Sequence, residues 1–248
     1  MKPTDLKDHI AATYRTVRIG AAVLAIALPF VLWIGGHILA DLPLQQSMSA
    51  YYHGGGGAMR DEFVGILFAV GAFLVLYKGY TTLENYALNL AGVFLVGVAV
   101  FPMEWECGDS CSRFSLHGIF AVLFFLSIAY VCLFRASDTL GLIPDKTQAN
   151  RYKSAYKLMG LGMVASPAVA VLLSFVLQPH SEVRSTIFFV EAAGVFIFGS
   201  YWILKSLEIA RTNSERSAIE GKLTTRQLRA ADMFKQISVA RIEPLPKP

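Results

Sequence analysis

The chain of 248 residues carries a formal net charge of +4, and only 16% of its residues are charged, against about 25% in typical soluble domains. Charges are missing from six long stretches, which excludes a soluble domain built around one core. The positive excess falls between those stretches, where attraction to anionic lipid headgroups accounts for it without a nucleic-acid partner.

These stretches are long enough to cross a membrane as helices. Five of them hold 15 to 24 residues without a charge, and a sixth holds 20 residues of which Glu191 alone is charged. A helix needs about 20 apolar residues to cross roughly 30 Å of hydrocarbon. The sequence therefore predicts an all-α integral membrane protein, a bundle of six transmembrane helices in residues 1–210 with a tail at 211–248. The predicted spans are 18–40, 60–80, 84–103, 114–135, 157–180 and 185–206.

The segments that join the spans differ in their content of Lys and Arg. Segments on the side of both termini carry 19 of the 22 basic residues, and the opposite side carries Arg60, Arg113 and Arg184. Basic residues concentrate on the cytoplasmic side of membrane proteins. Both termini are therefore predicted to be cytoplasmic, with the bacterial inner membrane as the favoured location.

The first loop on the outer side contains the polar segment SMSAYYHGGGGAMRDEF, residues 47–63. If Ser49 and His53 lie on one helical turn, their spacing of four places them on the same face. The four consecutive glycines that follow predict either a flexible linker or a backbone nest that binds an anion.

The second span is short, because only 15 uncharged residues, roughly 22 Å of helix, separate Glu62 from Lys78. Lys78 can reach the headgroups on its long side chain, whereas Asp61 has no such reach. We therefore expect Asp61 at the hydrocarbon edge, facing the interior of the bundle.

In the loop after the third span, Cys107 and Cys111 lie four positions apart. In an oxidising compartment such a pair predicts a local disulfide. Chelation of a metal by both cysteines and His117 is the alternative. Cys132, within the fourth span, is expected to be a small core residue.

Two further polar residues lie where a membrane makes them costly. His117 is at the start of the fourth span, and Glu191 is roughly 10 Å deep in the sixth. A charge at the bilayer centre costs about 2.5–3.5 kcal/mol, so an acid at depth faces the bundle interior and has a partner. We predict one polar pocket near the outer surface, formed by Ser49, His53, Asp61, His117 and Glu191.

Histidine and carboxylate side chains from several helices match the ligands of a Zn²⁺ site with one open position. A water bound there would lose a proton near neutral pH and attack an acyl or phosphoryl group. The same residues could instead form interhelical hydrogen bonds that hold the bundle together. A third interpretation is a solute or ion path in which Glu191 titrates, although the inner halves of the spans offer few polar groups, chiefly Asn89, Ser127 and Ser200.

The sequence predicts a short amphipathic helix in the tail, because helical spacing places four residues on one face, namely Ala230, Met233, Phe234 and Ile237. Such a helix would lie on the bilayer or on the bundle, or would dock a partner. A non-catalytic sensor or scaffold that signals through the tail is therefore a further functional alternative.

The segment Ser49-Ala50-Tyr51-Tyr52-His53, the downstream Asp61 and the later His117 resemble the Ser-x3-His, Asp and His pattern of the CREST membrane proteins. That group includes alkaline ceramidases, PAQR receptors and Per-like lipid-remodelling proteins, and it is described as a superfamily of Zn-dependent transmembrane hydrolases. The resemblance implies that His53 and His117 bind metal, while Ser49 and Asp61 position the ligands or the water. CREST proteins carry a His-x3-His pair in their last span, where this chain offers Glu191.

A second resemblance rests on the segments VAVFPMEW and SLHGIFAVLFF. They are similar to the Phe-Pro pair and the helix-start His of six-span bacterial membrane proteins, which in turn resemble the Frag/DRAM/Sfk family. Some members of that family take part in lipid and GPI-anchor remodelling. Both resemblances imply membrane lipids as partners.

The leading hypothesis from the sequence is an outward-facing, Zn-dependent enzyme that hydrolyses or modifies lipids. His53, His117 and Glu191 would bind the metal, Asp61 would be a further ligand or the general base, and Ser49 would stabilise the oxyanion or position a ligand. The rival hypotheses are a transporter or channel that uses Glu191 and a non-catalytic sensor.

Overall fold

A computed structural model describes residues 3–105, 115–176, 185–226 and 241–244 of the chain. The described part is a bundle of helices with one small β-ribbon. Its helices are α1 Pro3–Ala40, α2 Gly54–Gly57, α3 Arg60–Leu76, α4 Thr82–Val100, α5 Leu116–Tyr130, α6 Lys146–Val176, α7 Thr186–Thr212 and α8 Ser214–Ile219, and its strands are β1 Leu223–Arg226 and β2 Arg241–Pro244.

The helical class predicted from the sequence is confirmed. In the described part, five helical segments are long and apolar enough to cross a membrane. The helix of the predicted second span, α3, has 17 residues, about 25 Å of helix, and is not among the five. The five segments are Leu6–Ala40, Thr82–Val100, Leu116–Leu142, Lys146–Leu173 and Thr186–Thr212.

Side chains divide into an apolar outer surface and a packed interior. Large apolar side chains such as Ile38, Leu158 and Leu172 are exposed on the outside of the bundle, as expected where lipid is the solvent. Inside the bundle, a Cβ built on Gly92 would lie 2.6 Å from the carbonyl oxygen of Gly71. Helices α3 and α4 therefore pack with their backbones almost in contact, which only glycine permits there.

Two ends of the bundle are distinguished by their connections. We call the end at which α1 finishes and α7 begins the loop end, and the opposite end, where the described C-terminal segment lies, the tail end. At the tail end, Thr81 caps α4 by accepting a hydrogen bond from the Glu84 amide at 3.3 Å. Glu84 in turn accepts one from the Tyr80 amide at 2.7 Å, so its side chain also holds the segment that leads into α4.

Helix α5 loses its regular α geometry near the tail end. It continues as a π-helical turn at Val131–Arg135 and then as a 3₁₀ turn at Ala136–Leu142. Strand β2 packs against this 3₁₀ turn and buries Ile242. The four residues of the predicted amphipathic tail helix, at 230–237, lie outside the described residues.

A buried ionic cluster, which the sequence patterns do not predict, lies at the tail end. Lys205 Nζ donates to Glu208 Oε2 at 2.8 Å and to Thr139 Oγ1 at 2.7 Å. Tyr156 also donates to Glu208 Oε2, at 2.6 Å. We call Thr139, Tyr156, Lys205 and Glu208 the tail-end cluster. Lys205 and Glu208 are 1% and 0% exposed, so α7 carries its interior face well past the predicted end of the sixth span.

Candidate functional site

The polar segment of the first loop folds back into the bundle at the loop end. After α1, residues Ser49–Tyr52 form one 3₁₀ turn in which Ser49, Ala50 and Tyr51 are buried. Ser47 Oγ accepts a hydrogen bond from the Ala50 amide at 3.1 Å and so holds the turn closed. Burial raises the pKa of the Tyr51 phenol, and the hydrogen bond from the Gln45 amide opposes that rise. Because these contacts fix the turn, Ser49 has a defined position.

The glycines after this turn have the left-handed backbone conformation. The φ angles are 59° at Gly55, 70° at Gly56 and 86° at Gly57, a region that L-residues with a Cβ avoid. The run is therefore not a regular helix. It reverses the chain sharply between the 3₁₀ turn and α3.

Gly56 offers a test of this conformation, because a Cβ there would meet no atom within 4 Å. Replacing Gly56 with Ala is expected to lower the free energy of unfolding by about 1 kcal/mol through backbone strain alone. Gly65, inside α3, has equally open surroundings, and Gly65→Ala is expected to be neutral or slightly stabilising. Denaturant unfolding of both variants would check this, and equal effects would contradict the backbone explanation.

Ser49 and His117 form the central contact of the site. Ser49 Oγ lies 2.7 Å from His117 Nε2, and both residues are buried. His117 Nδ1 lies 2.9 Å from the carbonyl oxygen of Phe101 and 3.1 Å from that of Val98. A carbonyl oxygen only accepts, so Nδ1 of the neutral ring carries the proton. Nε2 is then left to accept the Ser49 hydroxyl proton.

The carbonyls that orient His117 are available because of a proline. In a continued helix the carbonyl of Val98 would accept from the amide of residue 102, but Pro102 has no N–H. Helix α4 therefore ends at Val100, and its last carbonyls point at the imidazole. Ser115 caps α5 by accepting from the Gly118 amide at 3.1 Å, which places His117 in the first turn of that helix.

Glu191 supports the same turn from α7. Its Oε2 accepts a hydrogen bond from the Met48 amide at 2.7 Å. A second link follows three residues earlier on α7, where the Phe188 amide donates to the carbonyl of Gln46 at 2.9 Å. Glu191, which is predicted to need a partner in the membrane, thus has one in the Met48 amide beside Ser49.

A cavity of about 450 Å³ opens beside these residues. Its polar groups gather at one end and include Ser49, His117 and Glu191, together with Ser166. The remainder of its wall is apolar and comes from α1, α3, α4, α5, α6 and α7. We call it the loop-end cavity. Its apolar lining includes Leu28, Phe63, Leu67, Leu95, Phe124 and Val195.

The other two residues of the predicted site do not line this cavity. His53 Nε2 donates to the carbonyl of Met103 at 2.9 Å, and its ring stacks on Trp105 with centroids 5.3 Å apart. Asp61 is exposed, so the expectation that it faces the bundle interior is wrong. It lies in the first turn of α3, where the free amides and the helix dipole favour a carboxylate at the surface.

The donor groups therefore do not fit the expected zinc site. In the described ranges, no three His, Cys, Asp or Glu residues are arranged so that they could hold a metal ion. Both ring nitrogens of His117 are engaged, by Ser49 and by backbone carbonyls. The zinc site stays a prediction that this geometry does not support. Cys107 and Cys111, with their predicted disulfide or metal chelate, lie outside the described residues.

Comparison with models of protein families, with curated proteins and with solved structures gives no match for this chain. Function is therefore inferred from the geometry of the site. One feature of that geometry can be recognised in the sequence, namely Phe101-Pro102 followed by a histidine at the start of a helix. The proline leaves a backbone carbonyl without an amide partner, and that carbonyl can then orient the imidazole.

Proposed function

We propose that this chain is a membrane enzyme that cleaves an acyl ester or amide of a lipid-like molecule, with Ser49 as nucleophile and His117 as general base. The proposal is carried by the 2.7 Å contact between Ser49 Oγ and His117 Nε2 at the polar end of an apolar cavity. A serine hydroxyl is a weak nucleophile until a base accepts its proton. A base oriented by a third group is the usual arrangement, and here backbone carbonyls orient it.

The reaction follows the steps of serine acyl transfer. Ser49 Oγ attacks the carbonyl carbon of the substrate while His117 Nε2 takes the hydroxyl proton. The tetrahedral intermediate then collapses, the bond to the leaving alcohol or amine breaks, and His117 gives that group its proton. Water, activated by the same imidazole, hydrolyses the acyl-Ser49 ester and releases the carboxylic acid.

The proton on Nδ1 is essential to this cycle. When Nε2 becomes protonated, the ring is a cation, and the carbonyls of Phe101 and Val98 face its Nδ1–H. Carbonyl oxygens carry partial negative charge, so they stabilise the imidazolium from the side that a carboxylate occupies in the Ser-His-Asp triad. They also prevent the ring from turning over, so that Nε2 always faces Ser49.

The location of the site supports a membrane substrate. We place six spans in the membrane, including the short α3, with both termini cytoplasmic as the distribution of Lys and Arg predicts. The loop-end cavity then lies in the outer half of the bilayer. An amphiphile could present its scissile bond there while its chain remains in an apolar environment.

A solute path receives less support from the described residues. On α7, the side chains of Phe198, Tyr201 and Trp202 are buried between Glu191 and Lys205. This aromatic layer separates the loop-end cavity from the tail-end cluster. The polar groups at the two ends therefore do not join into one channel.

Covalent labelling tests the proposal directly. Purified protein in detergent or nanodiscs is treated with a small fluorophosphonate, and its peptides are mapped by mass spectrometry. We expect an adduct on Ser49 that disappears in Ser49→Ala. The control Ser127→Ala removes a hydroxyl on α5 that donates to the Leu123 carbonyl, and it should label normally. If the protein is folded but Ser49 carries no adduct, the proposal is wrong and the Ser49–His117 contact only holds the loop in place.

A further inference from the structure

One part of the wall of the loop-end cavity, which we call the thin wall, is formed by mostly small residues of α5 and α6. Gly118 and Ala121 on α5 and Ala170 and Val171 on α6 line the cavity. None of the four residues is buried, and Val171 is 40% exposed. Their neighbours on the outer face are large and apolar, as Ile119 and Leu172 show. Three of the four wall residues are Gly or Ala, so little bulk separates the cavity from the lipid-facing surface.

Charge is distributed unevenly within the cavity. Glu191 provides a carboxylate at the polar end, and no Lys or Arg is among the described residues that line the cavity. A substrate with an anionic group beside its scissile bond would bring two like charges together in a site of low dielectric, where repulsion is strong. A hydroxyl or an ammonium group on the substrate would instead donate a hydrogen bond to Glu191.

Resting on the proposed chemistry of Ser49, we infer that the substrate is a long-chain amphiphile with a neutral or cationic headgroup that enters sideways from the outer leaflet between α5 and α6. Its chain lies along the apolar wall and its headgroup meets Glu191. A cavity of about 450 Å³ is within the usual range of ligand sites, about 300–1,000 Å³. The thin wall is the point at which such a molecule passes without crossing the aqueous loops.

The entry route is tested by filling the thin wall. Ala170→Phe adds a ring between cavity and lipid, whereas the control Ala168→Phe adds the same ring two residues away, at an exposed position outside the cavity lining. The measured quantity is the ratio of the cleavage rates of p-nitrophenyl palmitate and p-nitrophenyl acetate. We expect Ala170→Phe to lower this ratio at least tenfold and Ala168→Phe to leave it unchanged.

Two results of this experiment would overturn the route. One is an unchanged ratio in Ala170→Phe when fluorophosphonate labelling of Ser49 proves the variant folded. The other is an equal fall in both variants, which would mean a general effect on the bundle. Failure of the proposed function looks different, because cleavage of the short ester would then not depend on Ser49 at all.

The headgroup preference is tested with three palmitoyl esters that differ in charge. Palmitoylcholine and monopalmitoylglycerol should be cleaved at least ten times faster than palmitoyl glycerol phosphate. Glu191→Gln keeps an acceptor for the Met48 amide but removes the charge, and it should reduce this difference to less than threefold. Faster cleavage of the phosphate ester, or an unchanged preference in Glu191→Gln, would overturn the assignment.

Discussion

Replacing His117 with Asn is expected to lower the rate of ester cleavage by about 100- to 10,000-fold, the usual contribution of a general base. Asn keeps an amide that can donate to the carbonyl of Phe101, which lies 2.9 Å from His117 Nδ1. It cannot take the proton of Ser49 Oγ. The loss should therefore appear in kcat for p-nitrophenyl acetate, while the protein remains folded.

The double variant distinguishes catalysis from mere positioning. If Ser49 and His117 act as a unit, Ser49→Ala with His117→Asn should be no slower than Ser49→Ala alone, because the effects of residues in one machinery are not additive. Multiplied losses in the double variant would contradict a shared role. Normal cleavage in His117→Asn would contradict the base assignment itself.

Replacing Glu208 with Leu is expected to lower the free energy of unfolding by about 3–5 kcal/mol. The change removes the carboxylate that accepts from Lys205 and Tyr156. It leaves the Lys205 ammonium buried without the carboxylate that binds it directly, which is costly inside a protein. Unfolding by denaturant in mixed micelles, followed by tryptophan fluorescence, would measure the loss.

A matched double variant gives the control. Lys205→Met combined with Glu208→Leu removes both charges, and such replacements by apolar residues are often neutral or stabilising. Most of the lost stability should therefore return. Glu220→Gln, which removes a surface acid paired with Lys222, should cause no measurable change. A double variant as unstable as Glu208→Leu alone would show that hydrogen bonding, and not charge balance, holds the cluster together.

Hydrophobic patterning was sufficient to predict the helical class and the approximate positions of the helices. Long uncharged runs permit few structures in a membrane, since backbone groups must be satisfied within each segment. The prediction also placed Ser49, His117 and Glu191 in one site, because the first loop and the nearby ends of the fourth and sixth spans lie on the same predicted side of the membrane. That much follows from spacing and from the cost of burying a polar group.

Other parts of the site depend on where the chain turns and where side chains point, which the spacing of residues in the sequence does not determine. Asp61 lies near Ser49 in the sequence, yet the left-handed turn at Gly55, Gly56 and Gly57 separates the two residues. Asp61 consequently lies at the exposed start of α3, while His53 binds the Met103 carbonyl. Residue types alone suggested a metal, whereas the hydrogen-bond partners of His117 favour serine chemistry.

The tail-end cluster was missed for a related reason. Lys205 and Arg135 lie at the predicted ends of the sixth and fourth spans, where charged residues generally reach the headgroups. In the structure both side chains are 1% exposed. A charged side chain at the edge of an apolar run can thus point either out of the bundle or into it. Which of the two occurs depends on whether neighbouring helices provide partners for it.

The spacing of Lys205 and Glu208 bears on how the protein is assembled. The two residues are three positions apart on α7, so their ion pair can form within a single helix before any neighbour arrives. During insertion the segment would then present a neutral pair to the lipid instead of two separate charges. Thr139 and Tyr156 would add their hydrogen bonds only when the helices associate. The pair that makes insertion less costly would then also hold the assembled helices together.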